Sequence, residues 1–152
     1  MRHEIERLII DLEELQRDVA ELAVLSRPLV DALTSLLEQG PDTRSRLRQI
    51  WDAITAHHRD WPAGASGRTD LGEFLETIVP ADCDSWVRQA VLVLEIRFRL
   101  GRRSRALQRR LALLPANDPE RWFLNRPLAA VSNVQRDTTN RFEAIERLLT
   151  AS

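Results

Sequence analysis

Residues 4–37 read EIERLIIDLEELQRDVAELAVLSRPLVDALTSLL. Within them Ile5, Leu8, Leu12, Leu15, Val19, Leu22, Ser26, Leu29, Leu33 and Leu36 alternate by three and four without a slip. Such steps keep side chains on one stripe of an α-helix, so the stretch is predicted to be helical with one buried face. Leu stands at every second seam position, with β-branched Ile5 and Val19 among the others, a pattern that suits a two-stranded coiled coil. The flanks pull the other way. One is acidic (Glu4, Asp11, Asp18), and the other is Ile9, Gln16, Ala23, Val30 and Leu37, with no base to pair across a dimer. That apolar flank widens the stripe toward one of a helix buried in a bundle. Two readings follow: an intramolecular bundle helix, and a homodimer whose self-association seam is Ile5, Leu8, Leu12, Leu15, Val19 and Leu22.

The same spacing continues through the rest of the chain, and strict alternation is never sustained over a strand's length. The fold class is therefore all-α: a single-domain helical bundle of about five to seven helices, with long N- and C-terminal helices. Residues 1–40 form a heptad-patterned arm or hairpin and 41–152 the remainder of the bundle. Pro28 is expected to kink the first helix, with Ser26 capping the restart. Asp42 caps a second helix carrying Leu47, Ile50, Trp51 and Ile54, and residues 59–69 are a loop. Asp70 with Glu73 resembles a capping box opening a short helix that ends before Pro80. Asp82 or Asp84 starts the next helix, which breaks at Gly101 and Ser104 before a basic helix runs to Leu114. A turn of helix from Asn117 carries Trp122 and Phe123, and a last helix spans about 128–149.

The chain has 152 residues, 43% apolar and 30% charged, a composition of globular proteins rather than disordered ones. No apolar run approaches the ~18 residues of a membrane helix. Acids near the N-terminus stand where a signal peptide has its apolar stretch, so the expected address is the cytoplasm and no membrane contact is expected. A single cysteine, Cys83, excludes an internal disulfide.

The net charge of −1 conceals a strong asymmetry. Residues 1–40 hold nine acids against four Arg, whereas residues 97–110 hold seven Arg and no acid. All 22 basic residues are Arg, as a GC-rich genome would favour. On a continuous helix Arg99, Arg102, Arg103, Arg105, Arg109 and Arg110 lie opposite the stripe of Leu100, Leu107, Leu111 and Leu114. Such a face suits solvent, the chain's own acidic helix, an acidic protein partner or nucleic-acid phosphates. Arg97 instead shares the apolar side with Trp86, Ala90, Val93 and Leu94, and is expected to form a buried ion pair with Asp11 or Glu14.

Enzymatic signals are thin. His57, His58 and Asp60 lack a third ligand at metal spacing, and adjacent His point to different sides of a helix. Glu-x-x-His, H-E-x-x-H, G-x-S-x-G and Gly-rich phosphate loops are absent. Cys83 beside Asp82 and Asp84 has opposing influences on its thiol, and the Trp61-Pro62 loop reads first as a plug at the core edge. The expected function is non-enzymatic, without cofactor or metal: a protein–protein interaction or assembly module, self-associating through the heptad seam. The alternative is a nucleic-acid-binding subunit that contacts phosphates through residues 97–110.

Overall fold

Pro28 and Gly40 divide the N-terminal third of the chain into three helices. A computed structural model, which describes residues 2–59 and 84–150, places α1 at Arg2–Ser26, α2 at Leu29–Leu37 and α3 at Pro41–Arg59. Two long helices follow, α4 at Asp84–Leu113 and α5 at Glu120–Thr150. The described residues contain no strand, so the chain is all-α. Asp60, Trp61-Pro62 and the rest of the expected loop to residue 69, the expected short helix from Asp70, Asp82 and Cys83 lie outside the described residues.

The break at Pro28 is where the sequence places it, but Ser26 does not cap the restart. Its hydroxyl accepts a hydrogen bond from Arg141 Nη1 at 3.2 Å, and α2 begins at Leu29, with Pro28 at the cap position and no side-chain cap. Gly40 ends the next segment at φ +149°, a region closed to most side chains. Pro41 then opens α3, where its missing N–H costs nothing. Asp42 therefore sits in the first turn rather than at the cap.

Two expected breaks between helices are absent, so the segments on either side of each form one helix. Gly101 lies inside α4, buried, and Ser104 turns inward to donate to the Gly101 carbonyl at 3.1 Å. Pro127 lies inside α5. An interior proline forfeits one helical hydrogen bond. Leu124 and Leu128, both buried one turn apart across it, hold the helix on either side. The turn between α4 and α5 is closed by side chains. Asp118 Oδ1 accepts the Glu120 N–H at 2.8 Å, and Arg121 donates to the carbonyls of Leu114 and Pro115, each at 2.8 Å. Those contacts satisfy a helix start and a helix end together.

The chain divides into two compact units. The first combines α1 up to Leu25 with residues 96–140 of α4, the turn and α5. Its core is aliphatic, from Leu8, Leu15 and Leu22 of α1, Ile96, Leu100 and Leu107 of α4, and Leu124, Val131 and Val134 of α5. Thr138 is fully buried there, its hydroxyl donating to the Val134 carbonyl at 2.7 Å. The second unit combines residues 26–95 with residues 141–152. Its core is built round Trp51, whose ring centroid lies 6.0 Å from that of Trp86 and 5.6 Å, edge-on, from that of Phe142. Both indole N–H groups are satisfied, Trp51 by Glu146 Oε1 at 2.7 Å and Trp86 by the Leu29 carbonyl at 2.9 Å. Burying the rings without those acceptors would leave donors unpaired.

Continuity of α4 at Gly101 has a measurable consequence. A Cβ at this position would stand 3.3 Å from Nη1 of Arg105, the far end of an exposed and flexible side chain. The guanidinium can withdraw, so relief of the glycine's helix penalty prevails. Gly101→Ala is expected to stabilise the protein by about 0.5–1 kcal/mol in urea denaturation. Destabilisation would instead mean that Gly101 is required for close approach to Gln135, whose Nε2 lies 3.8 Å from that Cβ.

Candidate interaction surfaces

Three arginines of α4, Arg99, Arg103 and Arg110, meet carboxylates on neighbouring helices of the same unit. Asp18 of α1 is only 3% exposed, and it meets two guanidiniums. Arg99 grips it through Nη2 at 2.8 Å and Nε at 3.2 Å to Oδ1. Arg103 Nε stands 3.1 Å from Oδ2 and its Nη1 bonds Glu14. Glu21 completes the row, 3.8 Å from Arg99. Farther along, Arg110 donates to both carboxylate oxygens of Glu120, at 2.6 and 3.1 Å. That hydrogen bond, with the charges of Glu120, Glu4 and Asp11, raises the Arg110 pKa above its ordinary value.

The six arginines singled out by the sequence therefore separate into two sets. Arg99, Arg103 and Arg110 serve the fold. Arg102, Arg105 and Arg109 are exposed and pair with no carboxylate among the described residues. Three arginines, rather than six, remain as an exposed strip without a carboxylate partner among the described residues. The signal for this division is in the sequence: Glu14, Asp18 and Glu21 recur at helical spacing, opposite the recurrence of Arg99 and Arg103.

Arg97 lies on α4 two residues before Arg99. It is half-buried, and desolvation holds its pKa below the ordinary value. Its Nη2 donates to the Thr139 hydroxyl, while Glu14, one of its two expected partners, goes to Arg103. Asp18 is the buried carboxylate of this unit, met by Arg99 and Arg103.

The heptad seam is also divided. Leu8, Leu15 and Leu22 are buried within the chain, Leu15 and Leu22 completely. A dimer cannot use them without dismantling this core, which corrects the six-residue self-association seam. Leu12 and Val19 are half-buried, and Ile5 is 55% exposed. Beside them Ile9 is 50% exposed, Gln16 is exposed and Ala23 half-buried. These six outer positions, 5, 9, 12, 16, 19 and 23, make a second heptad register that shares three residues with the first.

Two concavities accompany these faces. In the first unit a cleft of about 660 Å³ has Leu8, Leu107, Leu113 and Leu114 in its wall, with Arg109 among its charged residues. In the second, a groove of about 300 Å³ beside Leu29 and Trp86 is lined without any charged side chain. Among the described residues no group of His, Cys, Asp and Glu is placed to hold a metal ion, and no helix is long and apolar enough to cross a membrane. Comparison with known proteins gives no match, whether to a family model, a curated sequence or a solved structure.

Burial at Asp18 is one-sided, which sets the order of mutational effects. The carboxylate is almost inaccessible, whereas the side chains of Arg99 and Arg103 are 45% and 31% exposed. Asp18→Leu releases two cations that can turn to water, and is expected to cost about 1 kcal/mol. Arg99→Met with Arg103→Met strands a buried anion, and is expected to cost about 3–5 kcal/mol. Adding Asp18→Leu to that pair should restore most of the loss in chemical denaturation; additive effects would show that the three side chains do not act as one cluster.

Proposed function

We propose that this protein is a non-enzymatic interaction and assembly module that self-associates through the outer heptad register of α1. The observation that carries the reading is the exposure of Ile5 and Ile9 on a helix whose inner register is already occupied by its own core. Scattered single apolar residues on a surface need no explanation. These stand four apart, and half-buried Leu12 and Val19 continue the four-three spacing after them, the arrangement that a second helix reads as knobs and holes. Gln16 sits within this outer seam, and a polar residue there favours one register at some loss of affinity. Glu13 and Arg17 are exposed alongside it, so an antiparallel pair of copies brings opposite charges together at the seam's edge.

The phosphate-contacting alternative has less support. Half of its arginines are committed to carboxylates within the chain, and the net charge of −1 supplies no long-range attraction to a polyanion.

Light scattering at micromolar concentration should give a mass that is a multiple of 17.5 kDa. Ile9→Glu should weaken association by at least about tenfold, because it removes the burial of one large side chain per copy, while helical circular dichroism is kept. Leu15→Asp should unfold the protein, since its side chain lies in the interior. A monomeric mass throughout, unaffected by Ile9→Glu, refutes self-association by this face.

A further inference from the structure

The outer strip of α4 has a chemistry of its own. Arg102, Arg105 and Arg109 follow one another by three and four residues, and Leu113, 86% exposed, continues the same strip one turn on. On its inner side this helix shows how its arginines are satisfied: by carboxylates at Glu14, Asp18 and Glu21 of a neighbouring helix, spaced by four and three. Read in reverse, that acidic spacing becomes three and four, the spacing of the outer strip. An antiparallel acidic helix would therefore set one carboxylate against each of the three unpaired guanidiniums. It would also bring an apolar side chain over Leu113, which lines the cleft with Leu8, Leu107 and Leu114.

We infer that Arg102, Arg105, Arg109 and Leu113 form a docking surface for an acidic amphipathic helix of a protein partner. This surface is separate from the outer register of α1, and the inference goes beyond self-association. Three features favour a protein over nucleic acid. The three arginines cover only about 10 Å of helix, and an apolar side chain ends the strip. The net charge of −1 supplies no long-range attraction to a polyanion. A second copy is a poorer occupant, because Glu14 and Asp18 are engaged within their own chain.

The test uses the full chain and a fluorescent, end-blocked peptide of about 20 residues, long enough to form a helix, with Glu at i, i+4 and i+7 and Leu on the adjoining stripe. A peptide of the same composition with its carboxylates out of helical phase is the control, and duplex DNA of similar length a third probe. In anisotropy titrations at about 50 mM salt, where exposed charges act most strongly, the in-phase peptide should bind best. Replacing all three arginines by Gln should weaken it by about tenfold, since each exposed pair contributes less than a decade alone. Leu113→Ser should weaken it severalfold, and Ile9→Glu should leave it unchanged. Circular dichroism should show all these variants folded, since every substituted side chain is exposed. The inference is overturned if the in-phase peptide binds no better than its control, or if the triple variant retains it. It is overturned equally if DNA binds more tightly than the peptide and the triple variant abolishes that binding, which would make the strip a phosphate surface.

Discussion

A carboxylate taken out of water dictates the design of the first unit. Asp18 is buried at the centre of α1, and an ionised group there is tolerated only with charge and hydrogen bonds of opposite sign around it. Arg99 supplies both and Arg103, one turn on along α4, adds a second charge. Their spacing fixes the register between the two helices, because a slide of one turn would bring a different residue opposite Asp18. It also fixes rotation, since both guanidiniums must point at α1 while Leu100 and Leu107 remain in the core. An aliphatic core made largely of Leu specifies neither degree of freedom well, as one Leu replaces another at little cost. The ion cluster supplies the specificity that the leucines lack.

The second unit solves the same problem with rings. Trp51 contacts Trp86 and Phe142, and its N–H reaches Glu146, so two helices far apart in sequence are located against one side chain. Directional hydrogen bonds from two indoles define a unique arrangement where apolar area alone would accept several. Both units thus combine a generic core with a small number of polar contacts that select one packing.

Much of this was legible in the sequence. Three-four periodicity gives the all-α class, and the opposition of acidic 1–40 to basic 97–110 foretells pairing between α1 and α4. What escaped was whatever depends on neighbours. Arg97 and Arg99 are two residues apart and lie on nearly opposite sides of the helix, and only the packing against α1 shows that Arg99 meets Asp18. Gly101 and Pro127 are breakers by intrinsic propensity, worth about 1 and 3 kcal/mol. Each is overridden by burial: Gly101 itself is buried beside Leu100, and Leu124 and Leu128 clamp the helix across Pro127. Ser26 had the chemistry of a cap, yet Arg141, 115 residues away, claims its hydroxyl.

The outer register of α1 follows from the same arithmetic. A stripe with residues at positions 5, 8, 12, 15, 19 and 22 is narrow, and the sequence adds Ile9 and Ala23 along one flank and acids along the other. Once the acidic flank is drawn to α4 by Arg99 and Arg103, the rotation of α1 is settled, and the apolar flank is left on the side away from those arginines. Ile5 and Ile9 are exposed because Asp18 is buried: the one helix cannot turn both flanks inward. Solvent exposure of that flank is thus a consequence of the ion cluster rather than an imperfection of packing. An apolar residue that an internal electrostatic constraint holds in water gains by meeting another chain, since association covers it without disturbing the cluster that exposed it.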